Sequence, residues 1–237
     1  MKSIFTNFLN PIIDLIFPKI CLGCNCKLGR EQTFLCSECE AFLEFLTGNI
    51  CEICGSIKVE NQCRTCETNT FSFDKACSVF HFNQVVQNLI HELKYSEMTK
   101  IAKYLGGFTV EYLEKFQPFK NVDIISPVPL HKVKKRARGF NQAEFLTKEI
   151  AKKMNWQHTP NLVLRKKFTK TQTKLKRNQR QINVSGAFVL NPKFDVAQKN
   201  ILIVDDVFTT GSTVNAFSKL LKNNAVSKIY VLTIARA

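Results

Sequence analysis

Residues 201–213 read Ile201-Leu-Ile-Val-Asp205-Asp206-Val-Phe-Thr209-Thr210-Gly211-Ser212-Thr213. Four consecutive β-favouring apolar residues predict a strand buried on both faces, as in a parallel sheet covered by helices. Two carboxylates follow, and a Thr/Ser/Gly turn then opens a helix near Ser212. Ligands of open parallel sheets bind where the strands reach their carboxyl edge. Such a turn aims backbone N–H groups and hydroxyls at one phosphate, aided by the helix N-terminus. Gly211 carries no Cβ and lets the backbone approach closely. The paired acids suit sugar hydroxyls or magnesium, because burying two adjacent carboxylates without partners is costly. The stretch is not a P-loop, since no G-x4-G-K-[ST] precedes the helix and the turn holds no lysine.

Outward from this stretch the strand–loop–helix pattern repeats. Ala76 to Phe82 predicts a strand, and Val85, Val86, Leu89, Ile90 and Leu93 then fall on one helical face. A second helix is expected from Met98 to Phe116, a short buried strand over Asp123–Ser126, and a helix over Asn141–Met154. Lys228–Ile234 predicts a last strand. Strands alternating with helices give an α/β fold, a mostly parallel sheet flanked by helices. Residues 165–183 are polar and basic and are expected to form a surface loop.

The N-terminal third is different. Residues 19–70 hold nine of the ten cysteines, eight of them in four C-x2-C pairs. Each pair offers two thiolates from one turn, and two pairs complete a tetrahedral zinc shell. Neighbours pair most simply: Cys21, Cys24, Cys36 and Cys39 around one ion, then Cys51, Cys54, Cys63 and Cys66 around another. A cross-braced pairing of first with third and second with fourth stays open; Cys26 and Cys77 are expected to be free thiols in local packing, with Cys26 as an alternative ligand to Cys24. Four cysteines per ion leave no open coordination position, so the zincs are structural. Thiolates kept for zinc point to a reducing compartment, the cytoplasm. These features divide the chain into an N-terminal helix and two-zinc region over 1–70 and an α/β domain over 71–237. Residues 3–17 have helical spacing but are interrupted by Asn7, Asn10, Pro11 and Asp14, which fits an amphipathic helix packed on the protein. No stretch approaches the roughly 20 apolar residues of a membrane span.

The formal charge of +15 is unevenly placed. Residues 1–75 hold 7 basic and 9 acidic residues, so the rest of the chain carries the whole positive field. That field favours phosphate-bearing partners. Two basic runs stand out, His131–Arg138 and the eight basic residues without an acid between Arg165 and Arg180. The first run is also what an ordinary solvated basic turn looks like. Tracking a nucleic-acid backbone would give steep salt dependence. Phe140, Trp156 and Phe168 are candidate stacking partners for single-stranded bases, although a lone aromatic more often belongs to the core.

The 201–213 stretch resembles the signature with which type I phosphoribosyltransferases bind phosphoribosyl pyrophosphate (PRPP). The resemblance implies that Asp205 and Asp206, the catalytic pair, bind the ribose hydroxyls and that Thr209, Thr210, Gly211, Ser212 and Thr213 cradle the 5′-phosphate. It also implies that Lys132, Arg136 and Arg138 bind pyrophosphate in a loop, with Mg2+ bridging ribose and diphosphate. The loop after Arg165 resembles the one that closes over PRPP in this superfamily.

The whole chain resembles the ComF family of competence proteins. The segments that carry this are Cys21-Leu-Gly-Cys24, Ile90-His-Glu-Leu-Lys-Tyr95, Val128-Pro-Leu-His-Lys132, Arg136-Ala-Arg-Gly-Phe-Asn-Gln142, Gln172-x2-Leu175 and Asn183-Val-Ser-Gly-Ala-Phe188. The family implies a double zinc ribbon and a role in DNA uptake and natural transformation. It further implies handling of single-stranded DNA in the cytoplasm beside a helicase-like competence protein, without stable membrane insertion. The alternative is an active phosphoribosyltransferase that moves ribose 5-phosphate from PRPP to a nitrogenous acceptor. Residues 68–120 identify no such acceptor.

Overall fold

The computed structural model of the chain describes residues 18–95, 98–166 and 186–237. The helix expected over residues 3–17, and the basic stretch beyond Lys166, lie outside the described residues.

The described strands are β1 (Lys75–His81), β2 (Ile124–Pro127), β3 (Gln157–His158), β4 (Val163–Arg165), β5 (Phe188–Leu190), β6 (Asn200–Phe208) and β7 (Lys228–Arg236). Five of them form one sheet in the order β1-β7-β6-β2-β3, and every pair is parallel. β4 and β5 pair antiparallel as a separate ribbon. The helices are two short turns, α1 (Ser37–Glu40) and α2 (Arg64–Glu67), then α3 (Gln84–Tyr95), α4 (Met98–Phe116), α5 (Lys132–Arg138), α6 (Gln142–Met154) and α7 (Ser212–Lys222). The mostly parallel sheet flanked by helices is the expected architecture.

The central strands alternate their side chains between two cores. Leu202 and Val204 of β6 join Leu89, Leu93, Ile101, Leu105, Leu146 and Ile150 from α3, α4 and α6. Ile201 and Ile203 point the other way, to Val214, Phe217 and Leu221 of α7 and to Phe188 of β5. Both faces are therefore apolar, which explains why β6 and β7 read as continuous apolar runs. α6 is bounded by Asn141, whose side chain accepts the Ala143 N–H, and by Asn155 at φ 56°.

The cysteine-rich region packs on the sheet edge rather than standing apart. Leu28, Phe34, Leu35 and Leu43 belong to the same buried cluster as Val86 and Leu105. Leu46 N–H donates to the Val79 carbonyl at 2.8 Å, and Ala76 N–H to the Ile53 carbonyl at 2.7 Å. Gly55, at φ +72°, lies so close to β1 that a Cβ would stand 2.6 Å from the Ala76 carbonyl oxygen. Gly55→Ala should therefore lower unfolding stability by about 1–3 kcal/mol through backbone strain alone. Urea denaturation of the zinc-loaded variant measures it.

Two local expectations are revised. The basic loop over Lys132–Arg138 is a seven-residue helix, α5. His131 starts it by accepting the Val133 N–H at Nδ1 (3.2 Å), and Gly139 stops it at φ 80°. β6 also continues four residues past Val204, because Asp205, Val207 and Phe208 keep pairing with Thr233, Ala235 and Arg236 of β7.

Candidate functional site

The acids occupy a gap in the sheet. β2 stops with Pro127 opposite Val204, so beyond that point β6 has a neighbour only on the β7 side. Chain order also reverses here, since β3 lies outward of β2 on one side and β7 outward of β6 on the other. This is a topological switch point, where open α/β sheets bind ligands. Asp205 and Asp206 are half-buried in that gap.

Three elements converge on the pair. Lys94 of α3 holds Asp206 with an Nζ–Oδ2 distance of 2.7 Å. Gln142, at the start of α6, donates its amide to the same oxygen at 3.3 Å and accepts from Arg138 at 3.2 Å. The Arg165 guanidinium of β4 lies over the Phe188 ring at 5.5 Å and within electrostatic reach of Asp205. Asp205 Oδ1 accepts the Asp206 N–H at 2.9 Å, and Asp206 Oδ1 the Val207 N–H at 2.8 Å.

The two carboxyls are not equivalent. Burial, reinforced by the neighbouring Asp206 charge, pushes the Asp205 carboxyl well above the usual carboxylate range. Burial acts on Asp206 too, but the Lys94 ammonium outweighs it and keeps that carboxyl below its ordinary value. A depressed acid stabilises the fold above its unfolded pKa, and the gain is lost as pH falls through the folded value. Lys94→Met should thus cost about 1–3 kcal/mol at neutral pH by stranding a half-buried carboxylate. The difference should shrink as pH falls towards 3, roughly below the unfolded carboxyl value. Denaturant melts of parent and variant across that range test it.

The turn after β6 is built by its own side chains and by Gly211. Thr210 Oγ1 and Ser212 Oγ approach to 2.7 Å, and Gly211 caps α7 at φ 72°. Thr209 is exposed, while Ser212 and Thr213 are half-buried in the first turn of α7. Thr210, Gly211 and Ser212 line a cleft of about 590 Å³, which Phe71, Phe188 and Asn215 also border. The acids do not line this cleft. Of the expected pyrophosphate ligands, only Arg138 is brought near the acids, through Gln142; Lys132 and Arg136 lie exposed on α5.

The cysteines gather into two groups whose sulfurs lie within 4.8 Å of one another. Cys51, Cys54, Cys63 and Cys66 form the second, the sequential pairing. Sulfur separations of 3.7 Å (Cys51–Cys66) and 3.4 Å (Cys54–Cys63) suit the edge of a tetrahedron, about 3.8 Å for zinc–sulfur bonds of about 2.3 Å. The donor sets fit structural zinc. In the first group the mutually close sulfurs are Cys21, Cys24, Cys26 and Cys36, with Cys24–Cys36 at 3.7 Å. Cys39, expected as the fourth ligand, flanks the group and interacts with Cys21, Cys24 and Cys36. Asn25 stands at φ 63°, the Cys26 carbonyl accepts the Cys21 N–H at 2.8 Å, and Cys26 itself is exposed. Gly23 and Cys36 N–H groups each donate to Cys21 Sγ at 3.3 Å, the second layer of bonds that orients metal thiolates.

Two site residues had no role assigned from sequence. Lys94 was detectable as a lone cation one position from Leu93 on the buried face of α3, beside the acids only once α3 and β6 are packed. Gln142 was disguised as an ordinary first-turn helix residue. The candidate stacking residue Phe140 is buried and packs edge-on against Phe145 at 6.0 Å, so it serves the core. Trp156 is half-buried against the larger cluster, and Phe168 lies outside the described residues.

Two family models match parts of the chain. A double zinc ribbon domain model matches residues 12–68, and a phosphoribosyl transferase domain model matches residues 141–237. Competence protein F of Haemophilus influenzae is 31% identical over 223 residues, covering 92% of this chain and 96% of that protein. DNA utilization protein YhgH of Escherichia coli K12 is 28% identical, covering 94% and 99%. Competence protein ComFC of Bacillus subtilis is 25% identical, covering 92% and 95%.

Proposed function

The chain belongs to the ComF family of competence proteins, and on that premise we propose that it binds PRPP with magnesium and handles incoming single-stranded DNA during uptake. The observation that carries the ligand is the pairing of two acids in the open gap of β6 with the Thr209–Thr213 turn at the start of α7. Asp205 and Asp206 would take the ribose hydroxyls, and the turn would take the 5′-phosphate through backbone N–H groups and the Thr210 and Ser212 hydroxyls. The carboxylate oxygens are the hard donors magnesium prefers, and the ion would screen the diphosphate while keeping several waters. Arg138, placed near the acids by Gln142, would face the diphosphate, with Lys132 and Arg136 of α5 as the outer cations. Lys94 neutralises Asp206 before the ligand arrives and is the group whose pairing binding would change.

The DNA role is supported by the names of the relatives and by the positive field beyond residue 75. Neutralising several phosphates makes affinity fall steeply with salt. Fluorescence anisotropy of a labelled single-stranded oligonucleotide at about 50 and 200 mM salt tests this, with a loss of about tenfold or more per three phosphates contacted. Salt-insensitive or absent binding would remove the DNA half of the proposal. A second reading, transfer of ribose 5-phosphate to a nitrogenous acceptor, is favoured by retention of both acids and the whole turn. Pyrophosphate release that depends on one particular acceptor distinguishes it. The setting we propose is cytoplasmic, and no described helix is long and apolar enough to cross a membrane.

A further inference from the structure

The end of β7 ties the second cysteine group to the phosphate turn. Arg236, at the end of β7, donates from Nη1 to the Cys54 carbonyl at 2.6 Å. Cys54 is one of the four clustered thiols of that group. On its other side the Arg236 guanidinium lies over the Phe208 ring, 4.3 Å from the centroid. Phe208 and Arg236 are also register partners in β6 and β7, and the Ala237 N–H donates to the Phe208 carbonyl at 3.0 Å. Phe208 in turn supports the phosphate turn. A Cβ on Gly211 would stand 2.5 Å from Phe208 Cζ and 3.1 Å from Phe71 Cε1, so the turn's backbone rests directly on these rings.

Phe71 makes a second connection. It belongs to the segment that follows Cys66, and it meets Phe208 edge-on at 6.1 Å. That segment is fastened to the first turn of α7 by Asn215, which accepts the Ser72 N–H at 2.6 Å and donates to the Thr70 carbonyl at 3.0 Å. A metal held by four thiolates carries net negative charge, and the guanidinium is the cation placed to balance it. An arginine there can donate to the carbonyl while its planar guanidinium stays over a ring, which a lysine's ammonium does less well.

We propose that Arg236 is a positioning residue through which the metal-loaded second cysteine group holds the phosphate-binding turn in its binding shape, so that metal occupancy and phosphoribosyl ligand binding reinforce each other. The device lies outside the acids and the turn themselves, and it rests on the PRPP reading above. Coupling of this kind is reciprocal: if the metal helps the ligand bind, the ligand helps retain the metal by the same factor. Side-chain support of the turn from beneath would otherwise be ordinary packing, which predicts no effect of ligand on metal release.

The test uses full-length, zinc-loaded protein. Affinity for PRPP with magnesium is measured by calorimetry, and zinc release to a chromophoric chelator with weak magnesium affinity is timed with and without PRPP. In the parent, PRPP should slow release from one of the two zinc sites by about fivefold or more. Arg236→Met should weaken PRPP binding by about tenfold and abolish that protection, with Arg236→Lys intermediate. Phe208→Leu, which leaves the Arg236–Cys54 bond in place, should weaken PRPP binding with zinc content unchanged, and this holds the test open if Arg236→Met does not fold. Unchanged affinity and unchanged protection in Arg236→Met or Phe208→Leu overturn the coupling and leave the PRPP site standing. A parent protein that binds no PRPP overturns the PRPP reading and the coupling with it.

Discussion

Asp205→Asn/Asp206→Asn protein should bind PRPP with magnesium at least about 100-fold more weakly than the parent, since each hydrogen bond to a charged group is worth about 1.5–3 kcal/mol. The single Asp205→Asn change carries a second signature. Asp205 has a folded-state pKa raised by burial and by Asp206. A raised group contributes its stability below the unfolded value and loses it as pH rises through the folded one. At neutral pH the ionised unfolded chain is therefore favoured, and removing the carboxyl removes that penalty. Asp205→Asn should melt higher than the parent at pH 7, by about 1.4 kcal/mol for each unit of the raised pKa. The advantage should vanish below about pH 4, where the unfolded carboxyl is itself protonated. Asn still supplies an oxygen for the Asp206 N–H, which keeps the strand geometry. A site that is more stable without its acid is what a ligand-binding role predicts, because function and stability then compete. Calorimetric titration and thermal melts at both pH values measure the two effects.

Zinc removal should have the largest structural effect. Structural zinc contributes on the order of 10–16 kcal/mol of apparent binding free energy per site, comparable to the whole stability of a domain. The cysteine region shares its apolar cluster with α3 and α4, through Leu28, Phe34, Leu35 and Leu43, and Phe34 packs edge-on against Tyr104 at 5.3 Å. Stripping zinc under reducing conditions should thus open residues 19–70 to proteolysis and loosen β1 and α3 as well. A loss of about 5 kcal/mol would lower Tm by roughly 10–20 °C at this size. Metal analysis should give two zincs per chain before treatment. A chain that melts unchanged after complete removal would show that these thiols pack without metal.

Much of the fold was legible because its signals are local. The apolar run of β6 and the buried face of α3 set their elements, and Met98–Phe116 begins and ends where its helical spacing does. The turn at Thr209–Thr213 was readable for the same reason. What stayed hidden depends on packing across the chain. α5 is a basic run whose helix rests on a histidine cap and Gly139, with only Val133 and Ala137 as apolar residues. Lys94 lies 112 residues from its partner Asp206, and Arg236 lies 28 residues from its partner Phe208: Lys94 reaches the acid from α3, and Arg236 sits opposite Phe208 in the sheet register. The closeness of Cys26 to the first cysteine group accompanies a left-handed Asn25, which the C-x2-C spacing does not encode.

The gap beside β6 is proposed to be a PRPP site. Calorimetric titration of zinc-loaded parent protein with PRPP, with magnesium present and then omitted, addresses it most directly. One PRPP per chain is expected with magnesium, and much weaker binding without it. Absence of PRPP binding at any magnesium concentration, in a protein that still binds single-stranded DNA, would contradict that proposal.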